Sequence, residues 1–123
     1  MYLKVTAVGV LGRDVELRYT PQGTAVASFS VATNRKYKSG EEQKEETTWL
    51  KVTVWARLAE LCAEYLHKGS KCLVEGTLVP DEHGGPKVWT AQDGTPRASF
   101  EIRASEIRFL DSKKKEAEPQ GEL

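Results

Sequence analysis

The sequence predicts an all-β domain: a five-stranded barrel with one α-helix between its third and fourth strands and β-hairpins projecting from it. Three observations carry this expectation. Stretches rich in β-branched and aromatic residues alternate polar with apolar along most of the chain. Only one segment has the spacing of an amphipathic helix. Turn residues separate the strand-like stretches, and the helix falls in mid-chain, followed by a strand, a short hairpin and a last strand.

Residues 3–11 form the first β-rich stretch, with Gly9 and Gly12 marking bends or close backbone approach. Residues 14–19 alternate as a strand does, and Thr20-Pro21-Gln22-Gly23 places Pro and Gly as a turn demands. Residues 25–35 alternate again, with Ala25, Ala27, Phe29, Val31 and Thr33 on one face. The charged stretch 36–46, with Ser39-Gly40 as its tip, joins that strand to the next as a long hairpin.

The next strand, residues 47–55, has two unlike faces. Thr48, Leu50, Val52 and Val54 make an ordinary core-facing row, while Trp49, Lys51, Thr53 and Trp55 make the other. A buried ammonium without a partner is costly, so the second row suits an exposed surface. Flat rings with a cation between them fit a base-stacking platform whose cation meets phosphate. The alternative is that the two indoles pack under a loop, against a second sheet or in a subunit contact.

Residues 57–68 read as the helix: Leu58, Leu61, Cys62, Tyr65 and Leu66 form one apolar stripe that plugs the core. Gly69 is expected as its C-terminal cap, with Lys68 complementing the helix dipole. A strand over 71–79 and a loop over 80–86 follow. Residues 87–90 and 97–99 then flank an Asp93-Gly94 turn, giving a short projecting hairpin that carries Trp89. In the last strand, 100–110, Phe100, Ile102 and Ala104 share a face; the parity slips before Ile107 and Phe109, which predicts a bulge. Tyr2, Tyr19 and Tyr65 are assigned to packing. This arrangement is the order of an OB-fold, a small closed sheet that commonly binds oligonucleotides. The domain is expected over 1–110, and 111–123, almost without apolar residues, as a short disordered polar tail.

Composition narrows the function. The 123 residues suffice for one core, with no apolar run long enough to span a membrane and no signal or transit peptide at the start, so a cytoplasmic protein is expected. Cys62 and Cys72 are expected as reduced, buried thiols, and with His67 and His83 they are too few for a zinc site. No nucleophile motif, carboxylate cluster or phosphate-cradling loop stands out, so neither an enzyme nor a cofactor is expected. With 18 basic and 18 acidic residues, any basic surface must come from sorting charge onto one face.

Several stretches, in order, resemble the bacterial-type single-stranded DNA-binding proteins: residues 8–14, 16–23 and 26–33, then Thr48-Trp49, Leu58-Ala59-Glu60, residues 65–70 and Val74-Glu75-Gly76. The resemblance implies an OB-fold that wraps single-stranded DNA without sequence preference, most often as a homotetramer, in a nucleoid-associated setting. The family's stacking aromatics fall on Tyr37, Trp49, Trp55 and Trp89. Its phosphate-contacting positions fall on Lys4, Arg18, Arg35, Lys51, Arg57, Lys87 and Arg97, and Lys36 and Lys38 extend the basic set. Two departures stand out. Val10 occupies a place where Asn is common, and the chain ends Pro119-Gln120-Gly121-Glu122-Leu123, without the acidic run closing on Pro-Phe that docks replication and repair proteins. The competing expectation is an OB-fold primosomal or scaffold subunit whose aromatics serve protein interfaces. RNA in place of DNA is also open, because stacking does not read the sugar.

Overall fold

The computed structural model describes residues 1–111. Alternation sets its strands: β1 (Val5–Leu11), β2 (Glu16–Tyr19), β3 (Ala25–Ser39), β4 (Glu42–Trp55), β5 (Lys71–Leu78), β6 (Lys87–Thr90) and β7 (Pro96–Phe109), with α1 (Ala56–Tyr65) between β4 and β5. Five of them close the barrel. β1 pairs antiparallel with β5, β5 with β7, β7 runs parallel to β4, β4 pairs antiparallel with β3, and β3 returns to β1. Thus α1 falls between the third and fourth barrel strands, as expected of an OB-fold. β2 flanks β3, and β6 pairs only with β7.

The inward rows meet in one core of Ala27, Phe29, Val31, Val52, Val54, Val74 and Ile102, among others. Each fully buried Val or Ile contributes about 1.5–3 kcal/mol from burial. Leu50, Val52 and Val54 occupy it as the strand pattern requires, but Thr48 is exposed, because that end of β4 runs beyond the barrel.

Closure depends on two glycines. β1 serves both halves of the barrel, pairing along β5 and also, through Val10 and Leu11, with Ala32 and Val31 of β3. A Cβ at Gly9 would collide with the Ala32 carbonyl oxygen and lie 2.6 Å from Val31 Cγ1, so only glycine lets the backbones approach. A Cβ at Gly76 would meet the Arg103 carbonyl oxygen and lie 2.7 Å from Ala104 Cα. Here the β5–β7 register shifts from Glu75 opposite Glu106 to Gly76 opposite Ala104, leaving Ser105 as the extra residue. This is the bulge expected from the parity slip.

Two local expectations give way. The helix ends at Tyr65, with Leu66 extended and its N–H donating to the Cys62 carbonyl at 2.9 Å, so Gly69 is not its cap and Lys68 lies past it. The backbone N–H of His67 donates to Ser70 Oγ at 3.0 Å and that of Lys68 to Asp14 Oδ1 at 2.8 Å. These oxygens offer the backbone partners that compete with another helical turn. Ala59, Cys62 and Leu66 are buried and Leu58 and Leu61 partly so, while Tyr65 projects from the helix end with its ring 5.7 Å from Phe109. Tyr2 and Tyr19, also assigned to packing, are exposed.

The charged stretch 36–46 forms the outer part of a long hairpin, as expected. β3 and β4 stay in register out to Ser39 opposite Glu42, around a two-residue turn with Gly40 at φ +69°. Charge explains the extension: Arg35 faces Glu46 and Lys36 faces Glu45 across the ladder. Residues 112–123, most of the expected tail, lie outside the described residues. Asp111 does not hang free: its Oδ2 accepts the Lys71 N–H at 3.1 Å. Among the described residues no helix is long and apolar enough to cross a membrane.

Cys62 and Cys72 are free and buried, as expected. Burial, then the neighbouring Cys72, pushes the Cys62 thiol up to about 12; burial, then Asp111, pushes Cys72 up to about 11. Their ordinary value is 9.0, so the unfolded chain ionises first as pH rises. The stability these thiols confer is complete below pH 9 and is lost toward 11–12. The unfolding free energy from urea titration should therefore fall between about pH 9 and 10.5, by up to about 2 kcal/mol per thiol. That fall should shrink when both cysteines are replaced by Ala; an unchanged fall would assign it to other groups.

Candidate nucleic-acid interface

The outward row of β4 stands above its neighbours because the residues beside it are small. Trp49, Lys51 and Thr53 lie opposite Ala32, Ser30 and Ser28 of β3. Directly opposed residues in an antiparallel pair share a face, so the large side chains project over a low floor. Gly12 completes that floor: a Cβ there would lie 2.7 Å from Trp49 Cζ3 and 2.8 Å from Cη2. Its N–H donates to the Ser30 carbonyl at 3.1 Å, fixing it beside β3. The indole is held along one edge and open elsewhere; Trp49 is 53 % exposed.

The β6–β7 hairpin brings the second indole. Lys87 opposes Ser99 and Trp89 opposes Arg97. The turn is tied by the Ala91 N–H donating to the Thr95 carbonyl at 2.8 Å, and by Asp93 Oδ1 accepting the Thr95 N–H at 2.9 Å. The latter bond holds the Asp93 carboxyl below its ordinary value. Trp49, Trp89, Lys51, Ser30, Ser99 and Glu101 line one cleft of about 450 Å³. A neighbouring depression continues past Lys51 and Ser28 to Arg13 and Glu16. Two rings, a cation and hydroxyls lining one cleft can stack bases and meet phosphate, at about 1–3 kcal/mol per stacked base.

A sequence model described as "Single-strand binding protein family" matches residues 2–110. The chain belongs to this family. It is similar to the single-stranded DNA-binding protein of Wolinella succinogenes, 44 % identical over 114 residues that cover 92 % of this chain and 67 % of that protein. The corresponding protein of Helicobacter hepaticus is 42 % identical over 114 residues, covering 92 % of this chain and 64 % of that one. The chain thus spans about two thirds of the length of these curated relatives. Among solved structures, a Plasmodium falciparum SSB in complex with ssDNA superposes with a TM-score of 0.74 at 28 % identity, covering 90 % of this chain and 96 % of that one. The family is one of binding proteins, not enzymes.

Against this single-strand binding framework the residues picked from sequence separate into groups. Trp49, Trp89 and Lys51 share the cleft, with Lys87 and Arg97 on the adjoining hairpin. Trp55 lies elsewhere, in a depression with Tyr2, Leu3, Lys4 and Arg103, and Arg18 reaches its side of the sheet through Val26. Tyr37 and Arg35 belong to the opposite face of the hairpin, in register with Lys44 and Glu46, while Lys36 and Lys38 share the parity of Trp49. The Arg35 guanidinium lies 4.7 Å from the Tyr37 ring centroid and its Nε donates to Glu46 Oε1 at 2.9 Å. This ring and this cation already serve each other.

Ion pairs divide the basic set further. Lys4 meets Glu75 at 3.3 Å, Arg57 meets Glu60 at 3.5 Å, and Lys87 meets Glu101 at 3.6 Å. The hydrogen bond and charge of Glu75 raise the Lys4 ammonium above its ordinary value. Lys51, Arg18, Arg97, Lys36 and Lys38 meet no carboxylate within ion-pair distance among the described residues. Sequence reasoning did not pick Arg13 and Arg103, which line the depressions beside Trp49 and Trp55. Arg13 follows Gly12 at the cleft edge, and Arg103 alternates outward between buried Ile102 and Ala104, a parity signal readable in the sequence.

Gly12→Ala tests the floor under Trp49. The added methyl should push the indole aside while the barrel stays folded, changing the near-ultraviolet circular dichroism and weakening oligonucleotide binding severalfold. An unaltered Trp signal would remove Gly12 from the site.

Proposed function

We propose that this chain binds single-stranded DNA without sequence preference, holding exposed strands extended during replication, recombination and repair. The observation that carries the reading is the one cleft that Trp49, Trp89 and Lys51 line together. Bases stack on the two rings and the strand's phosphates follow the cations, Lys51 and Arg13 first, with Lys87 and Arg97 on the hairpin. Every base has a π-face, so the contacts tolerate any sequence. Membership of the family and the likeness to a protein solved with ssDNA support this, as do relatives whose names state the same ligand. A cytoplasmic, nucleoid-associated protein follows from that ligand. Trp55 takes a second place on the strand's path or, given the apolar Tyr2 and Leu3 beside it, a contact between protein chains.

The oligomer belongs to the same proposal. Val8 and Val10 project from β1, 46 % and 41 % exposed, and Val8 lies opposite Leu73 of β5. Lys4, just before β1, and Glu75, Glu106 and Arg108 on β5 and β7 border this apolar strip. An apolar centre with a charged rim suits a self-association surface, and a homotetramer is the assembly we propose. Replication and repair proteins are the partners expected of such a complex.

Titration with oligo-dT should quench the Trp fluorescence to saturation, with partial reversal by salt. Trp49→Ala should cost about 1–3 kcal/mol, and Lys51→Ala less, but the Lys51 variant should flatten the dependence of log K on log salt by about 0.7. Equal losses with equal slopes would contradict these roles. In sedimentation equilibrium the protein should run as a tetramer that Val8→Glu dissociates, whereas a wild-type monomer at all concentrations would reject the assembly.

A further inference from the structure

The cleft between the two indoles contains a carboxylate where a polyanion is to pass. Glu101 lies opposite Lys51 across the parallel β4–β7 pair, and its side chain is only 17 % exposed. Lys87 Nζ lies 3.6 Å from Glu101 Oε1, and Ser99 Oγ donates to Oε2 at 3.4 Å. Glu101 therefore faces two lysines and is in contact with one of them, on the same cleft wall as Trp49 and Trp89. A carboxylate whose oxygens take an ammonium and a hydroxyl makes the contacts a phosphate group would make. Charge alone does not require this group here. Without it the cleft would be more basic and Lys87 would be free, as Lys51 is.

Resting on the single-strand-binding reading above, we propose that Glu101 is a built-in competitor for the strand's phosphates. In the free protein it occupies Lys87 and holds it over the cleft. When a strand enters, phosphate replaces carboxylate at the ammonium, and Glu101 is left beside the backbone as a like charge. The exchange weakens binding and reduces its salt sensitivity, because an ammonium already neutralised by protein attracts fewer phosphates and releases fewer counterions. Glu101 is thus a tuning residue. It keeps the cleft from holding a strand so tightly that the strand cannot move on, and it ties the position of the Trp89 hairpin to occupancy of the cleft.

The test is a double-mutant cycle on the full chain, with a short oligo-dT as the probe, read by Trp fluorescence at several salt concentrations. Glu101→Gln removes the charge and keeps the shape and the Ser99 hydrogen bond. It should tighten binding about three- to tenfold at low salt and steepen the salt slope by about 0.7. Lys87→Ala should weaken binding only slightly in the wild-type background and several times more in the E101Q background. If E101Q weakens binding, or changes neither affinity nor slope, Glu101 only anchors the hairpin and the proposal is overturned. Equal losses from Lys87→Ala in both backgrounds overturn it too, even if E101Q proves unstable to heat. Absence of wild-type binding at low salt would instead remove the single-strand-binding reading, and this proposal with it.

Discussion

A tight backbone crossing is what makes the surface of this molecule usable. β1 can serve both halves of the barrel only because Gly9 lets it pass against Ala32 and Val31. That crossing closes the sheet, and closure divides β4 into a buried row and an open one. Without it Leu50, Val52 and Val54 would lack an interior to fill, and Trp49 and Lys51 would have no fixed direction. Gly76 performs the same service where β5 meets the bulged β7. The open face is therefore a product of main-chain packing as much as of its own side chains: Ala32, against which Gly9 passes, is the residue opposite Trp49.

Much of this was legible in the residues. The alternation of residues 47–55, the helical stripe from Leu58 to Leu66 and the parity slip near Ser105 each correspond to a structural fact. The failures share one cause: patterns along the chain do not show partners across space. Tyr2 and Tyr19 read as packing, but the fold leaves both rings exposed. The helix read too long because Ser70 and Asp14 capture the next N–H groups from outside it. At the candidate cleft, the shared outward row of Trp49 and Lys51 was legible, since alternation along a strand is a local signal. That Arg35 is occupied by Glu46 and Tyr37, and Lys87 by Glu101, was not, because ion pairing needs the fold.

The balanced composition takes on meaning in this light. Eighteen basic and eighteen acidic residues give no net attraction for a polyanion, and several cations at family-expected positions are paired within the protein. Exposed pairs of this sort are worth about 0–1 kcal/mol, so a phosphate can replace the carboxylate at little cost. Lys51 and Arg13 along the cleft, and Arg103 near Trp55, are cations that no carboxylate meets at ion-pair distance among the described residues. The molecule gains a directed surface without becoming a strongly basic one.

The β3–β4 arm has a separate thermodynamic character. Past Thr33 and Thr48 its two strands leave the core, and what joins them is a ladder of main-chain bonds, opposed charges and one ring under a guanidinium. Burying almost no apolar surface, the arm adds little to the heat-capacity change of unfolding. Its melting is consequently uncoupled from that of the barrel, and a two-stranded ribbon of this kind is marginal in water when nothing packs against it. The protein is in effect two materials: a packed barrel from which Trp49 projects, and a ribbon held by main-chain and polar bonds.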